Sequence, residues 1–232
     1  MLLSQISCHT FFGKDLSPES VVLDLGANLG SFSRAIADQF GCRCYAVEAN
    51  PALCQQIWPD PRISVFNLAV AGTSGMTPFY LSASCEASSI LTGIRREVVG
   101  TLEVRAVSLQ EFVQLARLER VDLIKIDIEG AEIGVLESCS DEFLSSVPQF
   151  TIEFHDFCGL VPRAVVERSV ERLQDLGFFP IKIWRHAYGD TLFINRKLTS
   201  VTLPERLAAR YVSRNWWGLK RVISRELLHH PA

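Results

Sequence analysis

Five carboxylates, a lysine and a histidine are spaced along this chain so that four strand ends would bring them to one crevice. The first group is Asp24-Leu25-Gly26-Ala27-Asn28-Leu29-Gly30, a carboxylate followed at once by a glycine turn. Glu48 closes a second apolar run that begins at Cys42. Lys125, Asp127 and Glu129 end a further run, and Glu153 and His155 end the next. An open α/β sheet presents polar groups in this way, at the carboxyl ends of its strands, where ligands bind.

The first half of this set suits a nucleotide-like cofactor. A glycine turn with an acid about 20 residues on fits NAD(P)-dependent oxidoreductases, which stand as the alternative enzyme beside a non-catalytic cofactor-binding scaffold or partner subunit. Asn28 discriminates, because a side chain there hinders the close backbone approach that a pyrophosphate needs. S-adenosylmethionine has no pyrophosphate. It has an ammonium, which Asp24 is placed to serve directly or through water, and ribose hydroxyls, which Glu48 can accept. Gly26, Asn28 and Gly30 shape the turn. The bland reading makes Asp24 a turn cap and Glu48 a solvated strand end.

Methyl transfer from a sulfonium is a single in-line displacement, so holding the acceptor supplies much of the rate. A hydroxyl acceptor must also lose its proton. Side chains alternate along strands lying about 4.8 Å apart, so Lys125 and Asp127 would face Glu153 and His155. His155 is the expected base, with Glu153 or Asp127 fixing its tautomer. Against this, His155 can be a satisfied polar residue, and Lys125 reads better as a structural ion pair with Asp127 or Glu129. Asp127, Glu129, Asp156 and His155 could instead hold a divalent cation that acidifies the hydroxyl. Spacing fixes no coordination geometry, so no metal ligand is assigned.

The elements that must position these residues alternate strand and helix. Strands are predicted over 21–25, 42–47, 63–68, 121–126 and 149–154, with a final antiparallel pair over 178–184 and 191–194 around Gly189-Asp190. Ser31 is read as the cap of a helix to about Phe40, Asn50 and Pro51 start another, and Ser108 with Glu111 forms a capping box for a third, to about Leu118. Further helices are predicted over 131–138 and 163–176. Residues 71–107 break the rhythm, with short strands only at 79–81 and 104–107, and read as an inserted lid or binding loop. Ser88, Ser89, Arg95 and Arg96 in it are the expected acceptor contacts, on a segment that should be more mobile than the sheet. The whole is a Rossmann-like, doubly wound sheet with an antiparallel edge.

Asp24 to Gly30, Val47-Glu48-Ala49-Asn50-Pro51, Asn67-Leu68-Ala69-Val70, Asp122 to Glu132 and Ile152-Glu153-Phe154-His155 together resemble, in order, the motifs of the FkbM family of class I S-adenosylmethionine-dependent methyltransferases. The resemblance covers about residues 20–196, and Lys125-Ile126-Asp127-Ile128-Glu129-Gly130-Ala131-Glu132 is its most specific part. It implies a seven-stranded sheet with the last strand antiparallel, and O-methylation of sugars or natural-product hydroxyls. It adds Asn67, Ala69 and Asp127 to the cofactor residues and matches Ser88-Ser89 to paired serines of the family.

At 232 residues and 48% hydrophobic, the chain can bury one substantial core. The expected organisation is a methyltransferase domain over 1–198, with its core at 20–196, and a basic amphipathic helix within 199–232. Residues 196–232 carry +6, leaving −9 on the rest. An acidic body, and Asp127-Ile128-Glu129-Gly130 where base-amine methylases carry Asp/Asn-Pro-Pro-aromatic, argue against nucleic acid. The expected partner is a small-molecule or glycan acceptor, and the oligomeric state is left open. Seven cysteines without a Cys-x-x-Cys pair, and no leader or membrane span, point to reduced thiols in a cytoplasmic protein. Residues 204–228 should form a helix with Ala208, Tyr211, Val212 and Trp216 on one side and Arg210 and Arg214 on the other. It would dock on the domain or touch a membrane surface weakly.

Overall fold

The computed structural model of the protein describes residues 3–82, 88–91, 98–184 and 186–213. A hairpin of β1 (Ser4–Ile6) and β2 (His9–Phe11) precedes the sheet strands β3 (Val21–Leu25), β4 (Arg43–Glu48) and β5 (Ile63–Asn67). Next come β6 (Ala69–Val70), β7 (Gly75–Ser82) and β8 (Val98–Val107), then β9 (Leu123–Ile126), β10 (Gln149–Ile152), β11 (Phe178–Lys182) and β12 (Thr191–Asn195). The helices are α1 (Ser31–Phe40), α2 (Pro51–Cys54), α3 (Leu109–Leu115), α4 (Glu132–Ser138), α5 (Asp141–Ser146), α6 (Arg163–Asp175) and α7 (Leu203–Ala208).

The main sheet has the order β11-β12-β10-β9-β3-β4-β5. β3, β4, β5, β9 and β10 pair in parallel, and every residue of β3, β9 and β10 is buried, the polar Asp24, Lys125, Gln149 and Thr151 included, as in a parallel sheet covered on both faces. The strand order reverses between β3 and β9, and their carboxyl ends open there into a crevice. β12 is antiparallel to both neighbours, so it lies inside the sheet and β11 takes the edge. The reason is chemical: β12 is wholly buried and needs two partners, whereas β11 is half-buried and contains Pro180, which has no N–H to donate.

Other local expectations shift for physical reasons. Gly30, in a left-handed conformation, caps α1, and Ser31 is its first residue. Ser108 accepts the Glu111 N–H, but the Glu111 carboxylate bonds Ser74, whose hydroxyl takes the Ser108 N–H. The insertion is largely regular: β7 and β8 form a long antiparallel pair, joined by β6 into a three-stranded sheet. Its inward residues Phe79, Val104 and Ala106 pack on Ala69 and Ala71, while the outward ones are exposed and mask the strand signal.

One sheet face is covered by α3 to α6 through residues such as Phe112, Val135, Leu136, Val166 and Val170. The other is covered by α1 and by Phe11 and Phe12 at the end of the hairpin away from its turn, with Val201 and Ala209 completing the layer. Leu3, Phe11, Phe12 and Leu16 therefore belong to the core. Gln149 locks them by accepting from Phe12 N (2.9 Å) and donating to Phe12 O (3.1 Å), and Asp190 accepts from Thr10 Oγ1 (2.6 Å) and Thr10 N (3.2 Å). At the start of the tail, Arg206 and Arg210 lie against the Phe179 ring while Leu203, Leu207 and Tyr211 face outward, reversing the expected placing of Arg210 and Tyr211. Residues 214–232 lie outside the described residues. Among the described residues no helix is long and apolar enough to cross a membrane.

Candidate active site

The crevice at the ends of β3, β4 and β9 encloses about 650 Å³, its mouth included, and is lined among others by Gly26, Asn28, Glu48, Ala69, Phe79, Ser88, Asp127 and Glu129. Gly26 has φ +77°, and a Cβ there would stand 1.8 Å from the Asp127 carbonyl oxygen, so the turn after β3 crosses the exit of β9 with no room for a side chain. Asn28 holds a left-handed φ of 52°. Glu48 is fixed at both oxygens, by Asn28 N and Asn50 N, each at 2.7 Å. Burial pushes its carboxyl up, opposed by those two N–H donors.

Three expected cofactor residues stand behind this surface. Asp24 has no exposure; it accepts from Ser33 Oγ (2.7 Å) and pairs with Lys125 Nζ (3.0 Å), so it faces away from the crevice. Asn67 donates to the Glu48 and Ala49 carbonyls (2.9 and 3.1 Å), and Gly30 leaves space for Ile57. Lys125, itself buried, donates to the Gly26 carbonyl at 2.6 Å and lies 3.7 Å from Asp127 Oδ2. Burial alone would lower its ammonium pKa; Asp24 and Asp127 outweigh burial and raise it. The ion pair is made chiefly with Asp24, a partner that sequence spacing did not reveal.

Beyond Asp127 the carboxylates crowd. His155, 2% exposed, bonds Glu132 Oε1 through Nδ1 at 2.9 Å, while its Nε2 lies 3.3 Å from Glu129 and 3.9 Å from Asp127 Oδ1. Its ring is thus oriented by Glu132 and not by Glu153 or Asp127. Burial disfavours the imidazolium, yet Glu132, Glu129 and Asp127 push it up to about 10. To act as the expected base, His155 would first have to give up the proton these carboxylates favour. Burial and the charges of Asp127 and Glu129 push Glu153 up to about 7. His9, from the N-terminal hairpin, reaches Asp127 Oδ2 with Nε2 at 3.4 Å. Donor atoms of Asp127, Glu129 and His155 lie within 4.8 Å of one another, as do those of His9, Asp127 and Glu153. Asp156 instead accepts from Tyr188 N. His9 carries no local motif. Glu132 ends the Lys-Ile-Asp-Ile-Glu-Gly-Ala-Glu run, yet its helix position gave no sign that it turns to His155.

In the insertion, the Ser88 hydroxyl takes the Ser82 N–H (3.1 Å) and the Ser89 hydroxyl donates to the Glu129 carbonyl (2.7 Å). The Ser89 bond ties the insertion to the crevice wall, while the Ser88 bond stays within the insertion. Arg95 and Arg96, with residues 83–87 and 92–97, lie outside the described residues.

A doubly wound sheet of this order, with its last strand antiparallel and inserted, is that of class I methyltransferases. The Methyltransferase FkbM domain matches residues 24–178, so the chain belongs to the FkbM family of S-adenosylmethionine-dependent methyltransferases, and the nicotinamide alternative falls away. The chain is similar to the 2-O-methyltransferase NoeI of Sinorhizobium fredii, 25% identical over 78% of this chain and 82% of NoeI. It is also 28% identical to the AMB antimetabolite synthetase AmbE of Pseudomonas aeruginosa over 61% of this chain, which spans only 9% of that protein's length. Among solved structures it is similar to M. capricolum TrmK in complex with S-adenosyl-homocysteine, at 10% identity, 84% of this chain, 71% of that one and a TM-score of 0.43.

Proposed function

We propose that the protein moves a methyl group from S-adenosylmethionine to a hydroxyl of a small-molecule or glycan acceptor. The observation that carries the reading is the wall of the crevice, where Asp127 and Glu129 lead directly into His155 and Glu153. A hydroxyl needs hydrogen-bond acceptors and a destination for its proton, and this wall supplies both. The likeness to a protein called a 2-O-methyltransferase over most of its length supports the same choice.

The crevice suits the cofactor. Glu48 has free lone pairs for two ribose hydroxyls, the apolar surface of Leu53, Leu68, Ala69 and Phe79 suits the base, and Gly26, which has no side chain, lines the crevice where the amino-acid end would lie. Bound there, the cofactor supplies an electrophilic methyl on a sulfonium. Asp24 acts at a distance, holding Lys125 against the Gly26 carbonyl and so fixing the turn. Glu132 orients His155 toward Glu129 and Asp127, and the carboxylates accept from the acceptor hydroxyl. Ser89 braces the wall through the Glu129 carbonyl, and Ser88 lines the crevice beside it.

The test is transfer of labelled methyl to a panel of free sugars, glycosides and polyhydroxylated small molecules, with the product bond assigned by NMR. A methyl ether is the expected product. Transfer to nitrogen or carbon, or S-adenosylhomocysteine binding with no turnover on any hydroxyl acceptor, would reject O-methylation.

A further inference from the structure

We propose that Asp127, Glu129 and His155 bind one divalent first-row transition-metal ion at the crevice wall, with Glu132 holding the histidine in place. The site would serve the reaction proposed above, and the role of the ion rests on that reading; its existence does not.

The distances point to a shared ion. Charge-assisted hydrogen bonds are about 2.7–2.9 Å long, whereas His155 Nε2 stands 3.3 Å from Glu129 Oε2 and 3.9 Å from Asp127 Oδ1. Ligands bonded at about 2.1 Å to one ion lie about 3.0 Å apart when adjacent and about 4.2 Å when opposite. Both separations from His155 Nε2 fall between those two values, and the three donors all lie within 4.8 Å of one another.

The orientation of His155 is that of a metal ligand. A ligating histidine gives its other ring N–H to a carboxylate, and here Nδ1 meets Glu132 Oε1 at 2.9 Å. Glu132 is fully buried, and the same oxygen accepts from Ile128 N (3.2 Å) and Gly130 N (3.0 Å), which ties the turn bearing Glu129 to the histidine. The other oxygen of Asp127 is held by His9 at 3.4 Å and Lys125 at 3.7 Å, so Oδ1 is left for the ion.

Charge leads the same way. Lys125 is committed to Asp24 at 3.0 Å, which leaves Asp127, Glu129, Glu132 and Glu153 around two imidazoles. An ion on Nε2 would take the place of the proton there. One imidazole with two carboxylates suits Mn²⁺, Co²⁺ or Zn²⁺ better than Mg²⁺ or Ca²⁺, which take oxygen ligands. Asp127 and Glu129 line the crevice, so the remaining positions of the ion would open toward the acceptor, where it would lower the pKa of a bound hydroxyl.

The experiment is calorimetric titration of the full chain, stripped with chelator, with Mn²⁺ and with Co²⁺, the latter also followed by visible absorption. One saturable site per chain is expected. It should vanish in His155→Ala and weaken 10- to 100-fold in Glu132→Gln, with S-adenosylhomocysteine affinity retained as the check on folding. If His155→Ala does not fold, Glu132→Gln and Glu129→Gln decide. Absence of saturable binding by a chain that binds S-adenosylhomocysteine, or binding unchanged in these variants, overturns the site. Hydroxyl methylation that survives chelation removes the ion's role and keeps the reaction; metal bound through His155 with methyl sent to another element keeps the site and removes the reaction.

Discussion

Lys125→Met is expected to destabilise the fold strongly although it removes no side chain that touches ligand. Lys125 and Asp24 are 4% and 0% exposed, 3.0 Å apart, and the ammonium also donates to the Gly26 carbonyl at 2.6 Å. Methionine fills the volume and leaves Asp24 buried with only the Ser33 hydroxyl. Removing one partner of a buried pair costs about 3–5 kcal/mol, a large share of the roughly 5–15 kcal/mol that holds a domain together. Asp24→Asn with Lys125→Met removes both charges, keeps an acceptor for Ser33, and should recover about 2 kcal/mol or more of that loss. Asp24 and Asp127 raise the ammonium pKa against the effect of burial. The pair's contribution is therefore full below the free-lysine value of about 10.4 and is lost only as pH rises beyond it, so the wild type should keep it across pH 6 to 9. Urea unfolding followed by circular dichroism measures all three proteins. A single-variant cost below about 1 kcal/mol, outside the range for a broken buried pair, or a double variant no more stable than the single, refutes the reasoning.

Glu48→Ala should lose at least about 1.5 kcal/mol of S-adenosylhomocysteine affinity by calorimetry, as expected for hydrogen bonds to a charged group, and the wild type should show no heat with NAD. Gly26→Ala meets the Asp127 carbonyl at 1.8 Å in a left-handed conformation, whereas Gly75→Ala meets nothing within 4 Å. The first should fail to give folded protein, and the second, strained at its φ of +141°, should cost about 1–3 kcal/mol; equal melting temperatures for the two would contradict this. Asp190→Asn weakens the bonds to Thr10 and should speed amide exchange in residues 4–11 and lower turnover through His9, with cofactor affinity held within a few-fold. Unchanged exchange there would show that Asp190 does not anchor the hairpin.

Local pattern determined a good deal of this protein. Mostly apolar runs at 21–25 and 123–126, each carrying one charged residue, read as covered strands, Asn50-Pro51 reads as a helix start, and a carboxylate or glycine at a strand end is a property of neighbouring residues. The motif order from Asp24 to His155 therefore announced the family, the cofactor and the crevice. Direction and distance were decided by tertiary structure. Asp24 and Lys125 are 101 residues apart, and only the β3–β9 register sets them side by side and turns Asp24 into the interior. Pro180 shows why the antiparallel strand left the edge, yet the choice rests on which strand could be buried on both sides. Arg95 and Arg96 fall outside the described residues, while Ser89 is tied into the wall and Ser88 bonds within the insertion. His9 and Glu132 had no spacing signal, because a hairpin joins a distant strand end through packing of Phe11 and Phe12, and a helix-start glutamate selects its partner by proximity. Local sequence fixes which groups a strand end carries; long-range packing fixes which of them meet.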